Sequence, residues 1–185
     1  MAKIGLNNFR YSILTEAEDG TPSYAGAKSL GKAIDCKVSI EKYEAELYAD
    51  DTLAESDNTF KKGTVTLTTD EDDDTIFSEL LGHEISVDGE MIRKDTDVAP
   101  YVGLGRILTK VVNGAYKYKV EFLPKVKMSE PEQDEQTKGD SIEFKTPNIE
   151  GIVTKLSDGT WSKAKTFDNK EEAIAYLENL MKAGS

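Results

Sequence analysis

Between Cys36 and Leu67, two runs of alternating apolar and polar residues bracket a connection, residues 42–62, that is long for a compact domain. In the first run Cys36, Val38 and Ile40 share one face and Lys37, Ser39 and Glu41 the other; in the second, Val65 and Leu67 oppose Thr64, Thr66 and Thr68. A period of two is the signature of a strand with one buried face. The connection holds Leu47, Tyr48, Leu53 and Phe60. A purely solvated linker lacks side chains whose burial would offset its ordering. The segment therefore reads as an extended loop that makes contacts.

The remaining punctuation is that of an antiparallel β protein with two helices. Asp88-Gly89 separates Ile85–Val87 from Met91–Arg93, and Asn113-Gly114 separates Ile107, Thr109 and Val111 from Tyr116, Tyr118, Val120 and Phe122. Both dipeptides suit tight hairpin turns. Lys117, Lys119 and Glu121 alternate with the apolar set, so the pattern places Tyr116 and Tyr118 on a buried face. Pro124 has no amide hydrogen and is expected to end this strand's central pairing or to place it at an edge. Strands resume at Ile142 and Phe144, and a last hairpin is expected to pair Ile152–Leu156 with Trp161–Phe167 across Ser157-Asp158-Gly159. Residues 129–140 are acidic and polar, which predicts a mobile loop.

A short helix is predicted from Thr75 to Leu81, with the carboxylates of Asp70–Asp74 at its N-terminus and Gly82 as its stop. A second helix is predicted over 168–182. Asp168 and Glu171 make a reciprocal cap, and Ala173, Ile174, Leu177, Leu180 and Met181 form an apolar stripe that must pack on a sheet or a neighbouring subunit.

Candidate chemistry fails on spacing. Asp70, Asp72 and Asp74 imitate the opening of a calcium loop, but Thr75 stands where glycine is needed and Leu81 where the bidentate glutamate belongs. His83 is the only histidine and Cys36 the only cysteine, so neither a histidine cluster nor an internal disulfide can form. Cys36 reads as a buried inert thiol and His83 as a surface or satisfied side chain. Gly103-Leu104-Gly105 lacks the third glycine of a dinucleotide fingerprint, because Leu108 occupies that place; these read as turn or bulge glycines. Among 35 acidic residues no carboxylate pair is singled out for glycoside hydrolysis, and no G-x-S-x-G turn supports a serine nucleophile. The expectation is a non-enzyme without cofactor or metal.

A chain of 185 residues with 38% hydrophobic and 31% charged residues fits one domain, 1–185, with an adequate core. It holds no apolar run of membrane-spanning or signal-peptide length, so synthesis in a reducing cytoplasm is expected. The net charge of −12 disfavours a tight grip on nucleic acid, whose phosphates are held by lysine and arginine. Two readings of that charge stand side by side. It keeps a soluble protein soluble, or it keeps a duplex from adhering to a conduit wall.

ELYADD, then AESD, then the F-x-x-G-x-V-T-L strand resemble the major tail protein family of bacteriophages with long, non-contractile tails. The likeness continues through LLGH (Leu80–His83), APYVGLGR (Ala99–Arg106), YKVEFLPKVKM (Tyr118–Met128) and DGTW (Asp158–Trp161). It implies a mainly β, α+β fold: an antiparallel β-sandwich or barrel-like tail-tube domain with one short internal helix and a C-terminal helix. It implies hexameric rings stacked into a hollow tube around a tape-measure protein, with tail terminator and distal tail proteins at the ends. Such a protein is made in the host cytoplasm, resides in the virion and delivers the genome through its bore without specific nucleic-acid or membrane binding. By the same likeness Leu47, Tyr48, Leu53 and Phe60 reach an adjacent subunit or ring, and an N-terminal arm, residues 1–15, with Ile4 and Phe9, forms a second bridge. Some relatives carry an added immunoglobulin-like domain; the plain version is expected here.

One chain of this size cannot enclose a bore wide enough for a duplex, since barrels leave an aqueous channel only at about 16–18 strands. Several copies lending strands to one cylinder can. A stripe of Lys117, Lys119, Lys125 and Lys127 is a candidate to face an acidic loop of the next ring, either Asp70–Asp74, with Asp72, Asp73 and Asp74, or Glu130–Glu135. A solvated lysine face is the plain alternative. Two further functions fit the same patterns: a tube subunit of a contractile secretion or toxin-delivery system, and a monomeric β adhesion module using Tyr116 and Tyr118.

Overall fold

The computed structural model describes residues 2–43, 45–49, 52–57, 59–69, 73–131 and 148–182; the side chains of residues 2–4, 7, 33, 45–49 and 52–57 are outside that description. The strands are β1 (Ala2–Glu16), β2 (Pro22–Tyr24), β3 (Lys28–Ser29), β4 (Ala33–Lys42), β5 (Ala45–Ala49), β6 (Thr52–Asp57), β7 (Phe60–Thr69), β8 (Glu84–Ile85), β9 (Met91–Ile92), β10 (Tyr101–Val112), β11 (Ala115–Ser129), β12 (Asn148–Val153) and β13 (Lys163–Phe167). The helices are α1 (Asp74–Leu81) and α2 (Lys170–Leu180). All described pairings are antiparallel. The main sheet runs β2-β1-β10-β11-β12-β7-β4, with β3 joined to β1 and β13 to β11. It curls until β4 comes alongside β1 without a ladder between them, giving the mainly β, sandwich-like architecture expected from the sequence.

Strands β4 and β7 follow their alternation. Cys36, Val38 and Ile40 turn partly inward, while Val65 and Leu67 are buried in the core. Across the curl they meet Phe9, Tyr11, Val102, Leu104, Leu123, Val126 and Met128. A second core lies on the other side of β10 and β11, where Ile107, Val120 and Phe122 pack against Ala173 and Leu177 of α2 and its C-cap Met181. Each fully buried Val, Leu, Ile, Phe or Met among them contributes roughly 1.5–3 kcal/mol. The stripe on α2 thus packs on the sheet of its own subunit.

One bulge decides which residues enter which core. Val102 pairs with Val126 and Leu104 with Leu123, so Pro124 and Lys125 together stand opposite Gly103. An extra residue reverses the side-chain parity of a strand. Val120 and Phe122 accordingly face α2, whereas Val126 and Met128, also even-numbered, face the interior. Pro124 also marks a change of partner. Before it, residues 118–122 of β11 pair with β13; after it, residues 126–129 pair with β12. This corrects the expected β12–β13 hairpin: the Ser157-Asp158-Gly159 turn forms, with Gly159 N–H donating to Leu156 O at 2.9 Å, but its two arms lie along different halves of β11.

The Asn113-Gly114 turn forms as predicted, both residues having positive φ (52° and 80°). Helix α1 is capped by Asp73, which accepts from the Thr75 N–H at 2.8 Å, and it ends at Gly82 in the left-handed region. A Cβ at Gly82 would lie 2.3 Å from the Val98 carbonyl oxygen, so both conformation and space require glycine there. Glu79 of α1 accepts from Tyr11 Oη at 2.8 Å and from Lys28 Nζ at 2.6 Å, tying the helix to β1 and β3. The cap of α2 is Asn169, not Asp168: Asn169 Oδ1 accepts from Glu171 N–H at 2.8 Å, while Asp168 pairs with Lys117.

The predicted N-terminal arm, residues 1–15, is instead largely strand β1, paired with β10 on one side and with β2 and β3 on the other. Phe9 is 3% exposed and belongs to the inner core. The expected long loop 42–62 is also structured, because β5 and β6 pair with each other. The Tyr43 N–H donates to Thr59 O at 2.8 Å, carrying the β4–β7 ladder toward that hairpin. Residues 132–140 of the expected acidic loop, together with Ile142 and Phe144, lie outside the described residues.

Candidate functional site

A cleft of about 290 Å³ lies between β4 and the β10–β11 pair. Cys36, Val38 and Ile40 of β4 line it with Leu104 and Arg106 of β10, Lys119 and Glu121 of β11, and Trp161. The polar groups face inward because Arg106, Lys119 and Glu121 hold the interior parity of strands that bury their other face under α2. Arg106 donates to Glu121 Oε2 from Nε at 2.9 Å and from Nη2 at 2.6 Å, and Nη1 reaches Cys36 O at 3.2 Å and Cys36 Sγ at 2.8 Å. Lys119 completes the cluster on Glu121 Oε1.

Electrostatics follow from these contacts. Burial raises the Glu121 carboxyl pKa, but hydrogen bonds and charge from Lys119 and Arg106 outweigh it and hold the group below its ordinary value. Burial pushes the half-buried Cys36 thiol up, with Arg106 opposing only part of the rise. A thiol shifted that way is less of a nucleophile, in keeping with the inert role read from the strand pattern. The bridge ties β4 across the interior to β10 and β11.

The four lysines do not form one stripe. The bulge at Pro124 splits them, leaving Lys119 on the cleft side and Lys125 and Lys127 on the outer surface. Lys117 pairs with Asp168, Lys119 with Glu121 and Lys125 with Glu16. Lys125 Nζ also lies 4.6 Å, and Lys127 Nζ 5.7 Å, from the centre of the Tyr101 ring. Three of the four charges therefore already have carboxylate partners within the subunit. On the acidic side, Asp73 caps α1, Asp74 sits in its first turn, and Asp72 is outside the described residues.

Among the residues expected at subunit contacts, Phe60 stacks on Trp161 with centroids 4.7 Å apart and planes 3° from parallel. Phe9 is in the core, and the side chains of Ile4, Leu47, Tyr48 and Leu53 lie outside the description. Hairpin β5–β6 joins no other strand among the described residues. His83 is a satisfied histidine: Nδ1 lies 2.8 Å from Asp97 Oδ2, and Nε2 contacts Glu130. Tyr116 is 59% exposed, contrary to the burial its alternation predicts, because α2 covers the strand only farther along.

Two features escaped the sequence pattern. The Arg106–Glu121–Cys36 bridge spans strands that no local spacing connects, although an arginine at an inward position of a strand is itself a signal of a buried partner. Tyr101 beside Lys125 and Lys127 depends on the bulge register. Among the described residues no helix is long and apolar enough to cross a membrane. Comparison with protein-family models and with curated proteins finds no match to this chain.

Proposed function

We propose that this protein is the structural subunit of a bacteriophage tail tube, self-associating into hexameric rings that stack into the conduit for genome delivery. The observation that carries the reading is the β5–β6 hairpin, an extension of β4 and β7 paired only with itself among the described residues. Residues 43–60 supply it with Leu47, Tyr48 and Leu53 and with six carboxylates and no lysine or arginine. Such a segment gains little by folding alone and much by covering its apolar side chains on another copy. The family resemblance supplies ring symmetry, tape-measure, terminator and distal partners, and residence in the virion. On this reading the protein does no chemistry and needs no cofactor.

Sedimentation over a range of concentrations tests this directly. The parent chain is expected to pass from a slow species to large particles, and a Leu47→Ser, Tyr48→Ser, Leu53→Ser variant to stay slow with an unchanged circular dichroism spectrum. Equal assembly by the variant would remove the hairpin from the account. A second reading, a monomeric adhesion module, is favoured by exposed Tyr116 next to the Asn113-Gly114 turn. Purely monomeric protein whose binding is lost in Tyr116→Ala would favour it.

A further inference from the structure

We infer that His83 is a proton-operated latch: its imidazolium ties the end of β11 to the C-terminal end of α1, and loss of one ring proton releases that end. The inference goes beyond the tube reading and holds for a subunit on its own. Three groups from separate parts of the chain meet there. His83 follows Gly82, the C-cap of α1; Asp97 lies in the turn after β9; and Glu130 is the first residue beyond β11.

The backbone fixes the ring. His83 N–H donates to Ser78 O at 2.9 Å, beside the Gly82 N–H that donates to the same oxygen at 2.8 Å. The His83 side chain is 5% exposed. Asp97 is fixed as well. Its Oδ2 accepts from the Lys94 N–H at 2.8 Å while facing His83 Nδ1 at 2.8 Å, and its own N–H donates to Lys94 O at 3.1 Å. The Lys94 N–H first, and the His83 ring second, hold the Asp97 carboxyl below its ordinary pKa, which keeps it an acceptor. Glu130 meets Nε2 from the other side, and its side chain is 53% exposed against 13% for Asp97.

Proton counting sets the behaviour. An ionised carboxylate only accepts, so each of the two N···O contacts needs a proton, and a neutral imidazole carries one. The bridge therefore requires the imidazolium. When the second proton leaves to water, a bare nitrogen lone pair faces a carboxylate oxygen, and the two repel. Asp97, held by its turn, retains the remaining N–H on Nδ1. Glu130 turns away toward solvent and Arg93, whose Nε is 3.8 Å from it. Of the other charges at the site, Lys94 Nζ is taken by Glu84 Oε2 at 2.5 Å. Histidine makes this proton exchange between about pH 5 and 8. The released end is structural. Ser129, next to Glu130, pairs with Glu150 of β12, and Met128 packs in the inner core with Phe77, Leu80 and Leu81 of α1.

The chain has one histidine, so its ring signals are identified by residue type alone. Nitrogen-15 NMR of labelled full-length protein, in solution or as a spinning solid where it assembles, reads the protonation of both ring nitrogens across a pH series. Two protonated nitrogens are expected at neutral pH. As pH rises, loss of the Nε2 proton and a shift of the Glu130 backbone nitrogen should follow one titration curve. Glu130→Gln, at an exposed position, should move that curve to lower pH. A ring with one protonated nitrogen at neutral pH, a Glu130 backbone signal that ignores the ring's titration, or an unmoved curve in Glu130→Gln would each overturn the inference.

Discussion

The phenol of Tyr24 donates to the carbonyl oxygen of Pro124 at 3.0 Å, joining residues 100 positions apart. The contact sits on the bulge that exchanges the two faces of β11, and the Tyr24 ring meets Phe122 edge-on with centroids 5.5 Å apart. One side chain thus holds in place the irregularity that lets a single strand serve two cores. Tyr24→Phe keeps the ring and strands a buried carbonyl, so it should lower stability by about 1–3 kcal/mol. Urea denaturation followed by tryptophan fluorescence measures this, and an unchanged midpoint would show the hydrogen bond to be dispensable.

Gly105 fixes how closely α2 approaches the sheet. A Cβ there would stand 2.2 Å from Leu177 Cδ1 and 2.8 Å from Met181 Cε. Both side chains are buried and have little room to move, so Gly105→Ala is expected to cost about 1–3 kcal/mol through overpacking. Hydrogen exchange should show the loss concentrated in 170–180, with β4 and β7 unaffected.

Arg106→Ala removes the main partner of a largely buried carboxylate. Breaking such a pair costs about 3–5 kcal/mol, and the remaining bond from Lys119 places this case at the lower end. Arg106→Ala with Glu121→Ala should be less destabilised than the sum of the single variants. Strict additivity in the denaturation free energies would show that the two groups do not act as a pair.

Stability should fall at both ends of the pH scale for separable reasons. Glu79 and Glu121 each have a carboxyl pKa held below 4.5: burial raises it, but hydrogen-bonding partners lower it further. Their contribution is present above that unfolded-state value and is lost as pH falls through the depressed one. Tyr11 and Tyr24 are shifted the other way, upward from 10.0, chiefly by burial. Their contribution is complete below 10 and declines as pH rises past it, because only the unfolded chain ionises readily there. In a spectrophotometric titration these two tyrosines should ionise together with unfolding; their ionisation at pH 10 in folded protein would contradict the burial.

The strand-rich character and α1 were legible because each rests on local pattern: alternation in 36–41 and 64–68, a run of carboxylates ahead of 75–81, and Gly82 after it. What escaped was set by long-range register. Pro124 reads in sequence as the end of a strand, yet it serves as a bulge around which the strand changes partners, and that one residue displaced the expected β12–β13 pairing. The family likeness places Phe9 in an arm, and nothing in the local pattern corrects that, because a terminal strand is distinguished from a projecting segment only by its partner, here β10. Asp168 and Asn169 are both good capping residues; Lys117, from a different strand, draws off the first. The lysine stripe looked continuous because counting by two does not register a bulge.

In the proposed tube, identical subunits close around a passage that none of them encloses alone. Negative-stain electron microscopy of concentrated purified protein tests this most directly. Rings and hollow rods are predicted, with the Leu47→Ser, Tyr48→Ser, Leu53→Ser variant showing neither. Fields of isolated globules from the unmodified chain at every concentration would contradict it.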